Sequence, residues 1–352
     1  MLKAMNRAYP WLRSPIIVSA PMRLIALAPL AVAVAQAGGF GFLAAGTDTS
    51  DLKAELGRAR DLLQKSPIKG VDPTILPIGV GFINWGANMN AALEAIKMHT
   101  PTAVWFFAPK RNEDLIEWTE KVREITGGRT KVWVQIGTVT DALYVAQACA
   151  PDVLVVQGAD AGGHGLAQGA GIVTLLPEVT DALANIGMSH IPLIAAGGIV
   201  EGRGTAACLA LGANGVVLGT RFLACNEANI TKGYQDDVLR TWDGGLATVR
   251  TSVYDILRGT TGWPDKYNGR GIINQSFLDA QDGVSIEENK TLYREALQKG
   301  DEGWGKDGRL TAYAGSGVGL VKEVMSARGI IEEVRRNAIE AISELSRAPS
   351  KL

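Results

Sequence analysis

Residues 191–220, IPLIAAGGIVEGRGTAACLALGANGVVLGT, contain two short apolar runs with a helical segment between them. Each run is bounded by glycine and rich in aliphatic residues, a pattern typical of strands that are buried on both faces. The segment between them opens with Gly202-Arg203-Gly204. The stretch therefore predicts a strand–helix–strand unit of a parallel sheet.

Six runs of the same kind precede this stretch, and helical patterns lie between them. The runs are PIIVSAPM (15–22), GFGFLAA (39–45), ILPIGVGF (75–82), TAVWFF (102–107), KVWVQIG (131–137) and DVLVVQG (152–158). Eight strand–helix units predict an α/β fold of the (β/α)8 TIM barrel class. An open doubly wound sheet is the competing fold, but its GxGxxG turn is missing because the first strand ends in Ala20-Pro21-Met22.

Two of the intervening segments have a clear helical period. After the second run, apolar residues recur at helical spacing at Leu52, Leu56, Ala59 and Leu63. After the fourth run, Asn112 is predicted to cap a helix whose apolar stripe is Leu115, Trp118, Val122 and Ile125. Both patterns support the alternation of strands and helices.

Composition excludes several classes of function. Of the 352 residues, 47% are apolar and 20% are charged, so a large core can be buried. The net charge is -1 and no basic block occurs, which disfavours a nucleic-acid partner. Three cysteines without a CxxC pair and three histidines argue against a disulfide scaffold and a metal centre. No metal site is predicted.

Residues 24–46 carry no charge over 23 positions, a length that could cross a bilayer. Arg7 and Arg13 precede this segment, so a signal-anchor is an alternative. However, Pro29, Gln36 and the pair Gly38-Gly39 divide it into a helix and a short strand. We therefore expect a buried helix followed by a barrel strand, without membrane association.

The composition changes after Phe222. Residues 226–320 hold more charge, Trp and Gly, and we predict an irregular, partly helical, substrate-binding lid there. Residues 1–225 are predicted to form the barrel, completed by a C-terminal helix at 321–347. The apolar face of that helix carries Ile331, Val334, Ala338, Ile342 and Leu345.

The ends of the last three barrel strands carry the candidate chemistry. Gly197-Gly198, Gly202-Arg203-Gly204 and Gly219-Thr220-Arg221 follow strands seven and eight, where barrels often bind phosphate on bare backbone. Strand six ends in QGADAGGHG (157–165), which places His164 among glycines at the catalytic end. His99 and His190 precede strands, so we expect them to be structural.

The motifs QGADAGGHG and AAGGIVEGRGTAACLALGANGVVLGTRFLA (195–224) resemble the nitronate monooxygenase family, also called 2-nitropropane dioxygenases. APM (20–22) and GSGVGLVKEV (315–324) extend the resemblance over most of the chain. It implies a TIM barrel with FMN as cofactor and His164 as the active-site histidine. The FMN contacts that the resemblance implies are Met22, Gln157, Gly162, Gly197, Gly198, Gly219 and Thr220. We predict Gly163 as a further contact.

Two positions depart from the family pattern. Asp160 stands where the family often has Glu, and Gly81 where it often has Asn. Gln135, at the end of strand five, is predicted to supply the flavin contact that Gly81 lacks. Substrate contacts within 260–310 are not assigned.

The resemblance implies oxidation of alkyl nitronates, or of nitroalkanes, by FMN and O2 to carbonyl compounds and nitrite. An NAD(P)H-dependent flavin reductase of the enoyl or quinone reductase type is the alternative enzyme. A non-catalytic barrel that binds FMN or a phosphate ligand is the alternative of another class. A homodimer is left open.

The chain ends in Ser350-Lys351-Leu352, a tripeptide that serves as a peroxisomal address at a free C-terminus. In a eukaryote it predicts peroxisomal import and an import receptor as partner. Otherwise we expect a cytoplasmic protein.

Overall fold

Eight parallel strands form a closed barrel in the computed structural model, which describes residues 2–347. They are β1 (Ile16–Ser19), β2 (Phe40–Gly46), β3 (Leu76–Ile83), β4 (Pro101–Phe107), β5 (Lys131–Ile136), β6 (Val153–Gln157), β8 (Leu193–Ala196) and β9 (Gly215–Leu218). A short strand, β7 (Gly163–Leu166), lies outside the barrel. β1 pairs with both β2 and β9, which closes the sheet. The predicted TIM barrel is confirmed, and the open sheet is wrong.

One helix precedes β1, and the others follow the strands around the outside of the barrel. They are α1 (Leu2–Ala8), α2 (Ala28–Gln36), α3 (Leu52–Lys65), α4 (Met89–His99), α5 (Asp114–Thr126), α6 (Val139–Cys149), α7 (Ile172–Asn185), α8 (Gly202–Ala210) and α9 (Thr220–Leu223). The predicted stripe of α3 is fully buried. The predicted cap of α5 is wrong: Asn112 instead donates its amide to Asp141 on α6, and Glu113 precedes the helix without capping it.

The uncharged segment at 24–46 folds as expected into a helix and a strand. α2 is only nine residues long, and Pro29 is its second residue. β2 is buried along its whole length. No helix within residues 2–347 is long and apolar enough to cross a membrane.

An aromatic cluster fills the lower part of the barrel. Tyr9, which follows α1, packs edge-on against Phe40 with ring centroids 4.8 Å apart. Its hydroxyl accepts a 2.8 Å hydrogen bond from the indole of Trp133, which is fully buried. The N-terminal segment therefore closes the barrel at the end where the strands begin.

Residues 226–320 fold on the opposite end of the barrel. Their elements are α10 (Lys232–Arg240), α11 (Gly244–Ala247), β10 (Thr248–Thr251), α12 (Val253–Arg258), β11 (Tyr267–Ile272), α13 (Gln275–Gln281), α14 (Ile286–Gln298) and 3₁₀ turns at Gly300–Gly303 and Ser316–Leu320. β10, β11 and β7 form an antiparallel sheet. β7 is not among the eight strands predicted from the sequence, because its glycines give no strand signal.

A second apolar cluster joins this region to the barrel. It contains Val200 and Leu223 from the barrel side and Val238, Ile272 and Val318 from residues 226–320. The division of the chain into a barrel and a lid stays a prediction.

The C-terminal helix α15 (Ala327–Arg347) starts later than residue 321. Ile331, Val334 and Ala338 are buried as predicted, but Ile342 and Leu345 are 39% and 75% exposed. At about 1.5 Å per residue the 21-residue helix is longer than the nine-residue α8 beside it, so its last turns pass beyond the barrel wall. The tripeptide 350–352 lies outside the described residues.

Candidate active site

One cavity of about 410 Å³ opens at the carboxyl ends of the barrel strands. Its volume lies within the range of about 300–1,000 Å³ that is typical of small-molecule sites. The predicted active-site histidine and the nine predicted cofactor contacts all line it: Met22, Gln135, Gln157, Gly162, Gly163, His164, Gly197, Gly198, Gly219 and Thr220. Their roles toward a cofactor stay predictions.

The lining glycines fall into two groups. A Cβ on Gly162 would lie 2.3 Å from the Gly315 nitrogen, and one on Gly197 would lie 2.7 Å from the Gly158 carbonyl oxygen. These glycines are therefore required by backbone packing. Gly219 differs, because its Cβ would meet only the Ala20 methyl at 3.7 Å. The bare backbone of Gly219 faces open cavity, as a cradle for a flat ligand requires.

Thr220 connects the barrel to the segment 315–317. Its hydroxyl oxygen accepts a 2.9 Å hydrogen bond from the Gly315 N–H, which leaves the hydroxyl proton to be donated elsewhere. Arg221 is buried and donates to the carbonyls of Ala224 and Glu323, away from the lining residues.

The phosphate site predicted at Gly202-Arg203-Gly204 is wrong. The side chain of Glu201 accepts hydrogen bonds from the Arg203 and Gly204 N–H groups, so the helix start is already capped by a carboxylate. Burial acts to raise the pKa of Glu201, but these hydrogen bonds outweigh it and the pKa is lowered. Gly202 is glycine because its Cβ would meet Asn337 of α15 at 2.4 Å.

Gln135 and Gly81 lie on neighbouring parts of the wall. The Trp105 indole donates to Gln135 Oε1 at 3.1 Å, and no described residue accepts from the Gln135 amide nitrogen. A Cβ on Gly81 would lie 2.2 Å from Pro21 Cβ. In this chain Pro21 therefore fills the space that a larger residue at position 81 needs, while Gln135 keeps a donor free at the cavity.

His164 stands on β7, which leaves the barrel after β6. Gln157, at the end of β6, donates its amide to the His164 carbonyl oxygen at 3.3 Å. Gly269 of β11 is the partner of His164 in the antiparallel pair. The histidine backbone is thus fixed from the barrel and from residues 226–320 at once.

The His164 side chain is held between two other side chains. Its Nε2 lies 3.0 and 2.9 Å from the two carboxylate oxygens of Asp255 on α12. The Trp263 indole stacks on the imidazole, with centroids 3.7 Å apart and planes 5° from parallel. The side chains of His164 and Asp255 are only 13% and 8% exposed, so the pair is shielded from bulk water.

Two hydroxyl groups complete the surroundings of Asp255. Thr260 donates to Oδ1 at 2.8 Å, and Tyr313 donates to the same oxygen at 3.1 Å. Burial, and then the charge of Asp255, raise the pKa of Tyr313, so its hydroxyl keeps its proton and acts as a donor. Oδ1 of Asp255 therefore accepts from two hydroxyl groups, and both carboxylate oxygens lie within hydrogen-bond distance of His164 Nε2.

Three arginines lie on this side of the cavity, and one of them lines it. Arg258 lines the cavity with its guanidinium 5.3 Å from the Tyr313 ring centroid, and it forms no ion pair with a carboxylate within the described chain. Arg250 and Arg270 face each other on β10 and β11, and both donate to the Ala159 carbonyl in the segment that precedes β7. Arg250 donates to the Ala161 carbonyl at 2.7 Å. Burial, and then the charge of Arg270, lower the pKa of Arg250 to about 10, so it stays charged at neutral pH.

Sequence reasoning missed every site residue between 226 and 320. Asp255 is 91 positions from His164, and neither its neighbours nor its spacing mark it.

His99 and His190 precede β4 and β8, at the other end of the barrel, and neither lines the cavity. That placement agrees with their predicted structural role.

Comparison with known proteins adds an independent finding. The chain matches the family model described as nitronate monooxygenase over residues 11–72 and 93–336. It is 49% identical to nitronate monooxygenase npaC of Metarhizium robertsii, over 96% of this chain and 94% of that protein. It is 37% identical to the nitronate monooxygenase of Neurospora crassa, over 98% of this chain and 94% of that protein. The solved structure of FabK from Thermotoga maritima shares the fold, with a TM-score of 0.74 at 24% identity over 97% of this chain and 98% of that chain.

Proposed function

Since the chain belongs to the nitronate monooxygenase family and is an oxidoreductase of that type, we propose that it oxidises alkyl nitronates with FMN and O2 to carbonyl compounds and nitrite. The observation that carries the proposal is the position of His164. Its imidazole lies on the wall of the same cavity that the glycine loops of β8 and β9 line.

The lining residues fit a flavin. The open Cβ position of Gly219 leaves room for a ring system against bare backbone, and the Gln135 amide and the Thr220 hydroxyl are free to donate hydrogen bonds. Bound there, FMN would supply the electron-transfer chemistry, and the barrel would fix its orientation. We assign the FMN contacts to Met22, Gln135, Gln157, Gly162, Gly163, Gly197, Gly198, Gly219 and Thr220.

A nitronate is an anion, and the charges of the wall suit it. Arg258 faces the cavity and has no carboxylate partner among residues 2–347, and protonated His164 would donate a hydrogen bond to a nitronate oxygen. Arg250 and Arg270, which both donate to the Ala159 carbonyl, add positive potential from behind the cavity wall. With a neutral nitroalkane, neutral His164 would instead accept the proton of the α-carbon as a general base.

Residues 226–320 supply the wall that excludes water, in keeping with a substrate-binding lid. Trp263 packs against His164, Trp85 and Phe107. Its ring centroid lies 5.6 Å from that of Trp85 and 6.1 Å from that of Phe107. An aromatic wall beside the imidazole lowers the local dielectric constant, which strengthens the attraction between the cations and an anionic substrate.

Anaerobic mixing tests the proposal. FMN-loaded protein mixed with ethylnitronate should lose its visible flavin absorbance, and aerobic turnover should yield nitrite and acetaldehyde. NADPH serves as the parallel reductant: bleaching by NADPH with none by ethylnitronate would refute nitronate oxidation and favour the reductase. Flavin that is bound but inert to both would favour the non-catalytic barrel.

A histidine variant tests the site. His164→Ala should lower the rate of nitrite formation from nitroethane by about 10²–10⁴-fold, because it removes the general base. His190→Ala is the matched control, since His190 is exposed at the other end of the barrel. Equal loss in both variants would remove His164 from the mechanism.

A further inference from the structure

We propose that Asp255 is a positioning residue that keeps a proton on Nε2 of His164, so that Nδ1 is the nitrogen that exchanges a proton with the substrate. The fixed tautomer follows from geometry alone. The exchange with substrate rests on the proposed function.

The hydrogen-bond pattern around Asp255 sets the direction of the bond to His164. Thr260 and Tyr313 both donate to Oδ1, and Nε2 of His164 lies within 3.0 Å of both carboxylate oxygens. An ionised carboxylate can only accept hydrogen bonds. Thr260 and Tyr313 are donors to it, and His164 is a third donor if Nε2 carries a proton. Hydrogen bonds donated by Thr260 and Tyr313 favour the ionised form of the carboxylate, and an ionised carboxylate can only accept from Nε2.

The other ring nitrogen is directed differently. No described residue forms a hydrogen bond with Nδ1, whereas the imidazole lines the cavity. The parallel indole of Trp263 covers one ring face at 3.7 Å, so the ring cannot tilt away from Asp255 without losing that contact. A ring flip would place a C–H group against the carboxylate. One nitrogen is thus committed to Asp255 and the other is left for the cavity.

The arrangement divides the chemistry of His164 between two atoms. When the neutral imidazole removes the α-proton of a nitroalkane, a C–H bond breaks, an N–H bond forms at Nδ1, and the C–H electron pair becomes the C=N bond of the nitronate. The product imidazolium lies beside the Asp255 carboxylate, which stabilises its charge, as an aspartate does in hydrolase triads. A nitronate supplied as such needs no proton removal, so the two substrates should depend on Asp255 to different extents.

The tautomer can be observed directly because the chain has three histidines. Nitrogen NMR of ¹⁵N-histidine-labelled, FMN-loaded protein distinguishes Nε2–H from Nδ1–H imidazole at a pH where the ring is neutral. The wild type should show Nε2–H for His164, assigned by its loss in His164→Asn. In Asp255→Asn the amide group can donate to Nε2, so the proton should move to Nδ1. An Nδ1–H tautomer in the wild type, or an unchanged tautomer in Asp255→Asn, would overturn the proposal.

Kinetics give the second readout. The ratio of kcat/KM for nitroethane to kcat/KM for ethylnitronate should fall about 100-fold in Asp255→Asn, since only the first reaction needs a base. Asp265→Asn is the matched control, because Asp265 is exposed in the nearby loop and contacts none of these groups. An unchanged ratio, or a wild type that never consumes nitroethane, would refute the base role of Nδ1. Failure of ethylnitronate oxidation in the wild type would instead refute the proposed function, and the tautomer would still be readable.

Discussion

Gly219→Ala should weaken FMN binding without harming the folded protein. Gly219 has φ -102° and ψ -72°, in the αR region that alanine also adopts, and the new methyl would contact only Ala20 Cβ at 3.7 Å. Replacing glycine at such a position raises the free energy of unfolding by about 0.4–1 kcal/mol, because the unfolded chain loses freedom. The same methyl projects into the cavity, where forcing an extra carbon into a packed contact costs about 1–3 kcal/mol. That cost corresponds to a Kd for FMN about 5- to 150-fold higher.

Two measurements separate these effects. Quenching of flavin fluorescence on titration into flavin-free protein gives the Kd, and urea denaturation of the flavin-free protein gives the free energy of unfolding. Gly57→Ala is the matched control, because its Cβ would lie 3.9 Å from His99 and away from the cavity. It should gain similar stability with an unchanged Kd. A Gly219→Ala protein that binds FMN within twofold of the wild type would show that the flavin does not approach this backbone.

Three further predictions concern charge and packing. Arg258→Met should raise KM for ethylnitronate about 5- to 10-fold with a smaller change in kcat, since the cation lines the cavity and no carboxylate of the described chain pairs with it. An unchanged KM in steady-state assays at low salt would count against this role. Burial raises the pKa of Asp237 to about 6, so the protonated form is favoured in the folded state and stability is lost as pH rises toward and through that value. The free energy of unfolding of the wild type relative to Asp237→Asn should therefore fall by up to about 3 kcal/mol between pH 4 and pH 7 in urea titrations, and a flat or opposite trend would contradict the sign. Tyr9→Phe leaves the buried indole N–H of Trp133 without its acceptor and should cost about 1–3 kcal/mol in the same titrations, whereas an equal stability would mean that the bond contributes nothing.

Much of the site was accessible from the sequence because barrel strands end at one rim. Glycines and polar residues that follow strands must meet there, so the placement of Gly197, Gly219 and His164 on one cavity follows from strand order alone. The same reasoning failed at Gly202, because a pattern of glycines at a helix start does not reveal that the preceding Glu201 already caps it.

The amino-acid sequence by itself determined the eight-stranded barrel, the buried helix and strand at 24–46, and the rim that carries His164. Strand and helix periods are local, and alternation of the two leaves few ways to bury both faces of a parallel sheet. Only the tertiary structure decided which side chains act on that histidine. Asp255, Trp263 and Tyr313 reach it because β7 leaves the barrel and pairs with β11. These two glycine-rich segments are distant in the chain, and neither sequence indicates that it pairs with the other.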